Sequence, residues 1–462
     1  MDILDKFRNK DHFRNVLIII IGLLIAYLGY FLRTQQFYQF PPSGDTQDEL
    51  KAVFNGVNLI KYGVPRSWSW FEEYGDFPTE QIRNGQFRIV EPWFDEPPLF
   101  SLITGVYALS KGMDSLDKID AGAMRWPMIK LAALNIFLLF LLIWLIRNPL
   151  EAIAGSLIYA TVPTFVVGSR MPLSENMIVT CALASLICFV LYIRKNKIWF
   201  LILAGIIGSS AFLMKNTAIF IPTSLILLSI AYKQYKAASV VFGFALLSLI
   251  IWLGFGYFYN WPLFINLLVT YSGRELFQPT NIINLFEVFR IGEKVMDPDG
   301  WIIWGWISVI VYTLIDKQEE GEKISKLLLP LTIGSYLVYF MIMSGHLKGW
   351  YRIPFYPFLS WASAAFIIAI FKNPNILLSL FFLGIPVASS YIYGNGEIKW
   401  NDMGKKIFQY AFPLMVLPSF LYQIADTKRF KTAAQTIIVI AFIAAIIFNI
   451  RTILYFQSNF WY

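Results

Sequence analysis

The sequence predicts an all-α integral membrane protein with about thirteen transmembrane helices and short surface helices in its first outer loop. Three observations lead there. The 462 residues are 57% hydrophobic and only 15% charged, where soluble domains carry about 25% charge. Apolar runs of roughly 18 residues or more recur along the chain, each long enough to cross a bilayer as a helix. The remaining Lys and Arg collect in alternate connections, as positive-inside bias requires. The net charge of +8 then belongs to one membrane face, and no nucleic-acid partner is needed to account for it.

Residues 1–15 form a basic cytosolic tail containing Lys6, Arg8, Lys10 and Arg14, and residues 16–33 form the first transmembrane helix. No small-residue cleavage site follows it, so it reads as a retained helix that delivers the chain to the outside. Residues 34–123 are the first outer loop. From Thr34 to Pro97 it reverses the sign of the tail, with ten Asp and Glu against five Lys and Arg. Within it Val53, Val57 and Ile60 recur at helical spacing, predicting a helix over Gln47–Tyr62 that Gly63 and Pro65 end. Pro97–Leu109 is a second helix, too short to span. Both are expected along the membrane surface, where Trp68, Trp70, Phe71, Trp93 and Phe94 suit the interface.

Residues 124–258 hold a core of transmembrane helices, alternating through Pro127–Ile146, Ala152–Val167, Met177–Ile193, Ile198–Leu213, Thr217–Ala231 and Ala237–Phe258. Residues 259–300 are expected to be a second outer loop, and residues 301–462 to hold six further spans that leave the C-terminus outside. The outer connection Gly394–Lys406, with three lysines, runs against the charge rule. Cys181 and Cys188 share one apolar run, and His12 and His346 are the only histidines. Neither a disulfide framework nor a His-ligated zinc is therefore expected. No cofactor is expected, with a divalent metal in the acidic loop as the lesser alternative.

The chemistry is expected in the stretch from Ser43 to Lys51, which places Asp45, Asp48 and Glu49 within five residues just beyond the first span. Part of it has a plain structural explanation. Thr46-x-x-Glu49 has the form of a capping box, and Asp48 complements the helix dipole. Capping accounts for Glu49 but less well for three acids together. Asp48, ionised at a helix start, suits a general base that accepts a proton from an attacking hydroxyl or amine. Lys51 lies one turn on, able to pair with the acid or hold a phosphate. Asp45 is the second-choice base. Trp93-Phe94-Asp95-Glu96-Pro97-Pro98 opens the second surface helix, where proline is ordinary but the acids are not explained. Arg125, Arg170 with Glu175, Lys215, and the run containing His346, Tyr351 and Arg352 stand at the outer ends of spans. Snorkelling accounts for each singly, whereas together they suit a phosphate-bearing lipid.

The ordered set of motifs resembles the C-type (GT-C) membrane glycosyltransferases of the protein O-mannosyltransferase and lipid A aminoarabinose transferase superfamily. Asp48-Glu49 is similar to its acidic pair on a surface helix, Lys51 stands where the family often has Arg, and Gly63 falls where that helix ends. Trp93 to Leu99 resembles the stretch before its second surface helix. Arg125 with Pro127, Ser169-Arg170 with Glu175, Met214-Lys215, and Tyr351-Arg352-Ile353-Pro354 with Pro357 resemble later motifs in the same order. One departure stands out: the family's donor-contacting Lys before Pro-Pro is Glu96 here. No Trp-Trp-Asp motif of the oligosaccharyltransferases is present.

The resemblance implies an inverting transferase in the plasma or inner membrane, with its active site on the outer face. It implies a polyprenyl-phosphate sugar donor and a lipid, glycan or protein acceptor, with membrane lipids as surroundings. Catalytic roles fall to Asp48, Glu49 and Asp45. Donor phosphate and lipid contacts fall to Lys51, Arg125, Lys215, His346, Tyr351 and Arg352. The substrate pocket falls to Trp93, Asp95, Glu96, Arg170 and Glu175. The alternative is a multispan transporter or lipid-binding protein that uses the acids as an ion site, which requires acids within the spans.

Overall fold

The computed structural model describes residues 12–41, 48–82, 85–272, 285–286, 290–291, 294–295, 300–315, 323–342, 349–394 and 402–455. Helix α1 (His12–Thr34) is followed by α2 (Asp48–Tyr62), a small sheet, and α3 (Pro98–Ser110). Then come α4 (Ala121–Ile146), α5 (Pro149–Thr161), α6 (Pro163–Ser169), α7 (Ser174–Lys195), α8 (Ile198–Ser210), α9 (Phe220–Ala231) and α10 (Tyr235–Ser272). The later helices are α11 (Gly300–Ile315), α12 (Lys323–Ile342), α13 (Tyr356–Lys372), α14 (Ile376–Phe382), α15 (Ala388–Gly394), α16 (Asp402–Ala425) and α17 (Lys428–Leu454).

The chain is a multi-pass membrane protein. Among the described residues eight helices are long and apolar enough to cross a bilayer, nine if α5 and α6, bent by 70°, count as one broken span. Four of the thirteen expected spans (Ile198–Leu213, Thr217–Ala231, Trp301–Ile315 and Ile376–Tyr393) fall instead on helices of 10–17 residues. The bend between α5 and α6 falls at Val162-Pro163, where proline lacks the N–H that would continue α5. In the centre, α5 packs between α4 and α13, while α7 packs against α4 and α8. Arg33 at the end of α1 is fully buried. Its guanidinium donates to Ser169 Oγ at 2.7 Å and to the carbonyls of Gly29, Tyr159 and Ala160 at 3.0–3.1 Å.

The expected first outer loop carries more structure than its sequence suggested. Strands β1 (Ser67–Trp68), β2 (Thr79–Ile82) and β3 (Gly85–Val90) form an antiparallel sheet in the order β1-β3-β2. Ser67 pairs with Val90 and Thr79 with Arg88. Trp68 and Phe87 from this sheet, with Leu50, Val53 and Val57 from α2, form a satellite core beneath α2. α2 and α3 cross with their backbones in contact: a Cβ on Gly56 would meet the Ser101 carbonyl oxygen at 1.7 Å.

The expected second outer loop from residue 259 begins instead as helix. α10 runs on to Ser272, broken at Asn260 (φ −166°, ψ 92°) ahead of Pro262. The Asn260 side chain accepts from the Leu263 N–H at 3.2 Å and so restarts the helix. Beyond the break, Phe264 packs edge-on against Phe94 and Thr270 donates to Glu73.

Candidate active site

α2 begins at Asp48 and carries Glu49 and Lys51 in its first turn. The Asp48 side chain and all of Asp45 lie outside the described residues, as does His346. Glu49 is buried, and its carboxylate receives Arg125 Nε at 2.7 Å and Nη2 at 2.6 Å. Arg125 is buried too, and its third contact donates to the Phe37 carbonyl at 2.7 Å. Thr46, the cap of the expected capping box, lies outside the described residues; the Glu49 carboxylate reaches across to α4. A buried guanidinium needs a matched carboxylate, and a two-pronged pair supplies it. Glu49 and Arg125, expected as catalytic acid and phosphate ligand, are thus engaged with each other. Arg170 lies in their electrostatic range, donates to the Gln35 carbonyl at 2.8 Å, and stacks 5.6 Å from the centre of the Phe40 ring. Beside the pair, an open cavity of about 560 Å³ is lined by Phe37, Tyr38, Tyr107, Lys111 and Trp126.

Lys51, two residues beyond Glu49 and so about 200° around the helix, turns to a different partner. Its ammonium meets Asp95 Oδ2 at 2.5 Å and stands 5.5 Å from the Trp93 ring centre. Asp95 is buried and also accepts from Ser69 Oγ and from the Tyr74 hydroxyl, both at 2.9 Å. Tyr74 in turn accepts from the Phe94 N–H at 2.7 Å. Burial and the neighbouring Asp95 push the Tyr74 phenol well above its usual range, so it stays a donor. Ser69 and Tyr74 escaped the sequence reading; the only available signal was the alternation of Gln86, Phe87, Arg88 and Ile89, which marks the strand that positions them.

Glu96, the next residue, extends the array to Lys215. Lys215 sits in the break between the 3₁₀ turns Ala211–Leu213 and Asn216–Ile219. Its ammonium is 3.0 Å from Glu96 and 2.6 Å from Glu175, the second residue of α7. It lies 4.5 Å from the ring centre of Tyr351. Burial opposes the charge on Lys215, but Glu175 and Glu96 outweigh it and hold the ammonium well above the usual lysine range. Burial pushes the Glu96 carboxyl upward, with Lys215 opposing. Tyr351 belongs to the 3₁₀ segment Gly349–Phe355, which also carries the buried Arg352. The Tyr336 hydroxyl pins that segment by donating to the Tyr351 carbonyl at 2.6 Å.

The structure therefore joins Lys51, Trp93, Asp95, Glu96, Glu175, Lys215 and Tyr351 in one continuous array, with the Glu49–Arg125 pair on the other flank of α2. Among the described residues no three or more His, Cys, Asp or Glu side chains gather as a metal site.

Residues 95–258 match the family described as dolichyl-phosphate-mannose-protein mannosyltransferase. A sequence comparison with curated proteins finds no match. Among solved structures, the chain is similar to ArnT from Cupriavidus metallidurans bound to undecaprenyl phosphate, at 12% identity and a TM-score of 0.53. That likeness covers 96% of this chain and 77% of ArnT. AglB, the archaeal oligosaccharyltransferase from Archaeoglobus fulgidus, in complex with an inhibitory peptide and a dolichol-phosphate, gives 12% identity and a TM-score of 0.50. The arabinosyltransferase EmbB from Mycobacterium smegmatis gives 11% and 0.50. The alignments cover 94% of this chain in both cases, but 56% of AglB and 41% of EmbB. The resemblance read from the motifs thus holds at two levels: residues 95–258 match the dolichyl-phosphate-mannose-protein mannosyltransferase family, and nearly the whole chain has the fold of the C-type membrane glycosyltransferases.

Proposed function

We propose that this chain is a glycosyltransferase that moves a sugar from a polyprenyl-phosphate carrier to a lipid, glycan or protein acceptor at the outer face of the plasma or inner membrane. The observation that carries this reading is the array from Lys51 to Tyr351, which draws Asp95, Glu96, Glu175 and Lys215 from the matched segment and begins three residues after Asp48. Asp48 is the general base. It takes the proton from the acceptor hydroxyl or amine as that group attacks the anomeric carbon, and the carrier leaves as its phosphate. The developing phosphate charge requires fixed cations nearby, and Lys215 with Arg352 supplies them. Asp95 holds Lys51 in place, and Glu49 with Arg125 fixes the start of α2 against α4, so that the base is positioned from both sides. The acceptor approaches through the aromatic cavity beside Arg125, where Trp126 and Tyr38 offer ring faces to a sugar.

The decisive experiment incubates the purified chain in lipid nanodiscs with a panel of polyprenyl-phosphate sugars, together with lipid, glycan and peptide acceptors, and measures release of the lipid phosphate. Release from one donor and not from the others supports the reading. Release from none, with the fold intact by unfolding measurements, overturns it.

A further inference from the structure

The Lys215 ammonium is already engaged on three sides. A lysine ammonium has three donors, and here two face the carboxylates of Glu96 and Glu175 while the Tyr351 ring covers another side. An arriving anion competes with the two carboxylates. They are not equally replaceable. Glu175 is fully buried in the first turn of α7, so moving it away would strand a charge inside the protein. Glu96 lies on the loop before α3, and its side chain keeps 26% of its exposure. It can swing from Lys215 into water without moving a helix.

We propose that Glu96 is a tethered placeholder: its carboxylate occupies the seat at Lys215 that the carrier phosphate takes, so that donor binding is an exchange of one anion for another. This inference rests on the polyprenyl-phosphate reading above. The exchange serves both ends of the reaction. The donor is a phosphodiester with one negative charge, whereas the released carrier is a phosphomonoester whose charge rises to between −1.5 and −2 near neutral pH, about as for other monoesters. Chemistry therefore tightens the grip of Lys215 on the product. The returning Glu96 carboxylate competes with that product and helps expel it. Glu96 thus acts on the substrate through Lys215 and is a specificity and release residue, not a catalytic one.

The test is binding of undecaprenyl phosphate to the full chain in nanodiscs, together with steady-state kinetics. Glu96→Gln removes the competing charge and keeps the shape. Affinity is expected to rise about tenfold, the scale of a modest ion pair, with KM for the donor falling and kcat falling as release slows. Loss of a merely structural contact would weaken binding instead. Equal or weaker binding by a folded Glu96→Gln variant, with the wild type binding normally, overturns the exchange and leaves the transferase reading standing. Absence of binding by both proteins overturns the carrier reading and the exchange with it. Glu96→Ala provides the same comparison if the Gln variant does not fold.

Discussion

Gly56 and Gly105 face each other where α2 and α3 cross, so close that a Cβ on Gly105 would lie 2.4 Å from the Gly56 carbonyl carbon. This contact sets the position of α2, and α2 carries Asp48, Glu49 and Lys51. Gly56→Ala forces backbone apart, since the obstructing atom is the Ser101 carbonyl and not a flexible side chain. The expected cost is about 1–3 kcal/mol, with activity falling in step, read by thermal unfolding in detergent. Gly243→Ala is the control, because nothing lies within 4 Å of its added carbon. Equal effects at the two positions would refute the crossing as the constraint.

The Glu49–Arg125 pair is buried on both sides. Arg125→Ala leaves a carboxylate in the interior without its counter-charge, at an expected cost of about 3–5 kcal/mol. The double variant Glu49→Leu/Arg125→Met is expected to lose less than the single variant. Comparing the two unfolding midpoints checks this, and a double variant less stable than Arg125→Ala contradicts it.

Asp48→Asn is expected to lower kcat by about 10³-fold, within the range for a lost general base, while undecaprenyl phosphate still binds. Full turnover in Asp48→Asn would remove the base from Asp48.

Asp95 depends on Ser69 and Tyr74 to complete its hydrogen bonds. Tyr74→Phe and Ser69→Ala each leave a buried carboxylate short of a donor, at about 1–3 kcal/mol. Both should also raise KM for the donor, because Lys51 loses its fixed anchor. Unfolding and kinetics together test this, and an unchanged midpoint for both variants would rule it out.

The placeholder at Lys215 carries a pH signature. The groups facing the Glu96 carboxylate are Lys215, Glu175 and Lys51, with the Tyr351 ring packed against the Lys215 ammonium. Burial raises the Glu96 carboxyl, so as pH falls it is protonated before an ordinary glutamate and stops competing. The carrier phosphate also loses charge near pH 6, roughly its second pKa, which weakens binding in both proteins alike. The informative quantity is therefore the ratio of wild-type to Glu96→Gln dissociation constants. It should shrink toward unity as pH drops; a flat ratio excludes competition by the carboxylate.

The membrane class was legible because hydropathy is a local, additive property, and so was the helix Gln47–Tyr62, found at Asp48–Tyr62. The motif residues were legible as a set, but their pairings were not. Glu49 obeys a capping pattern in sequence and also pairs with Arg125, 76 residues away, because a buried cation needs a carboxylate that no local pattern reveals. Tyr74 and Ser69 carry no motif; only the fold of the sheet brings them to Asp95. Gly56 and Gly105 were unreadable for the same reason, since a glycine inside a helix announces no partner. The run past Tyr259 was expected to be an outer loop; Asn260 and Pro262 do interrupt the helix, but it resumes beyond them as far as Ser272.

That interruption has a mechanical consequence. The 25 residues of α10 from Tyr235 to Tyr259 rise about 37 Å, against a hydrocarbon thickness of roughly 30 Å. At the top, the Tyr259 hydroxyl grips the Gly63 carbonyl at the end of α2 at 2.7 Å. α10 is thus a leg of fixed length bolted to the helix that bears the acids. A bilayer thinner than this leg would tilt it, and through the Tyr259–Gly63 contact the tilt would reach the end of α2.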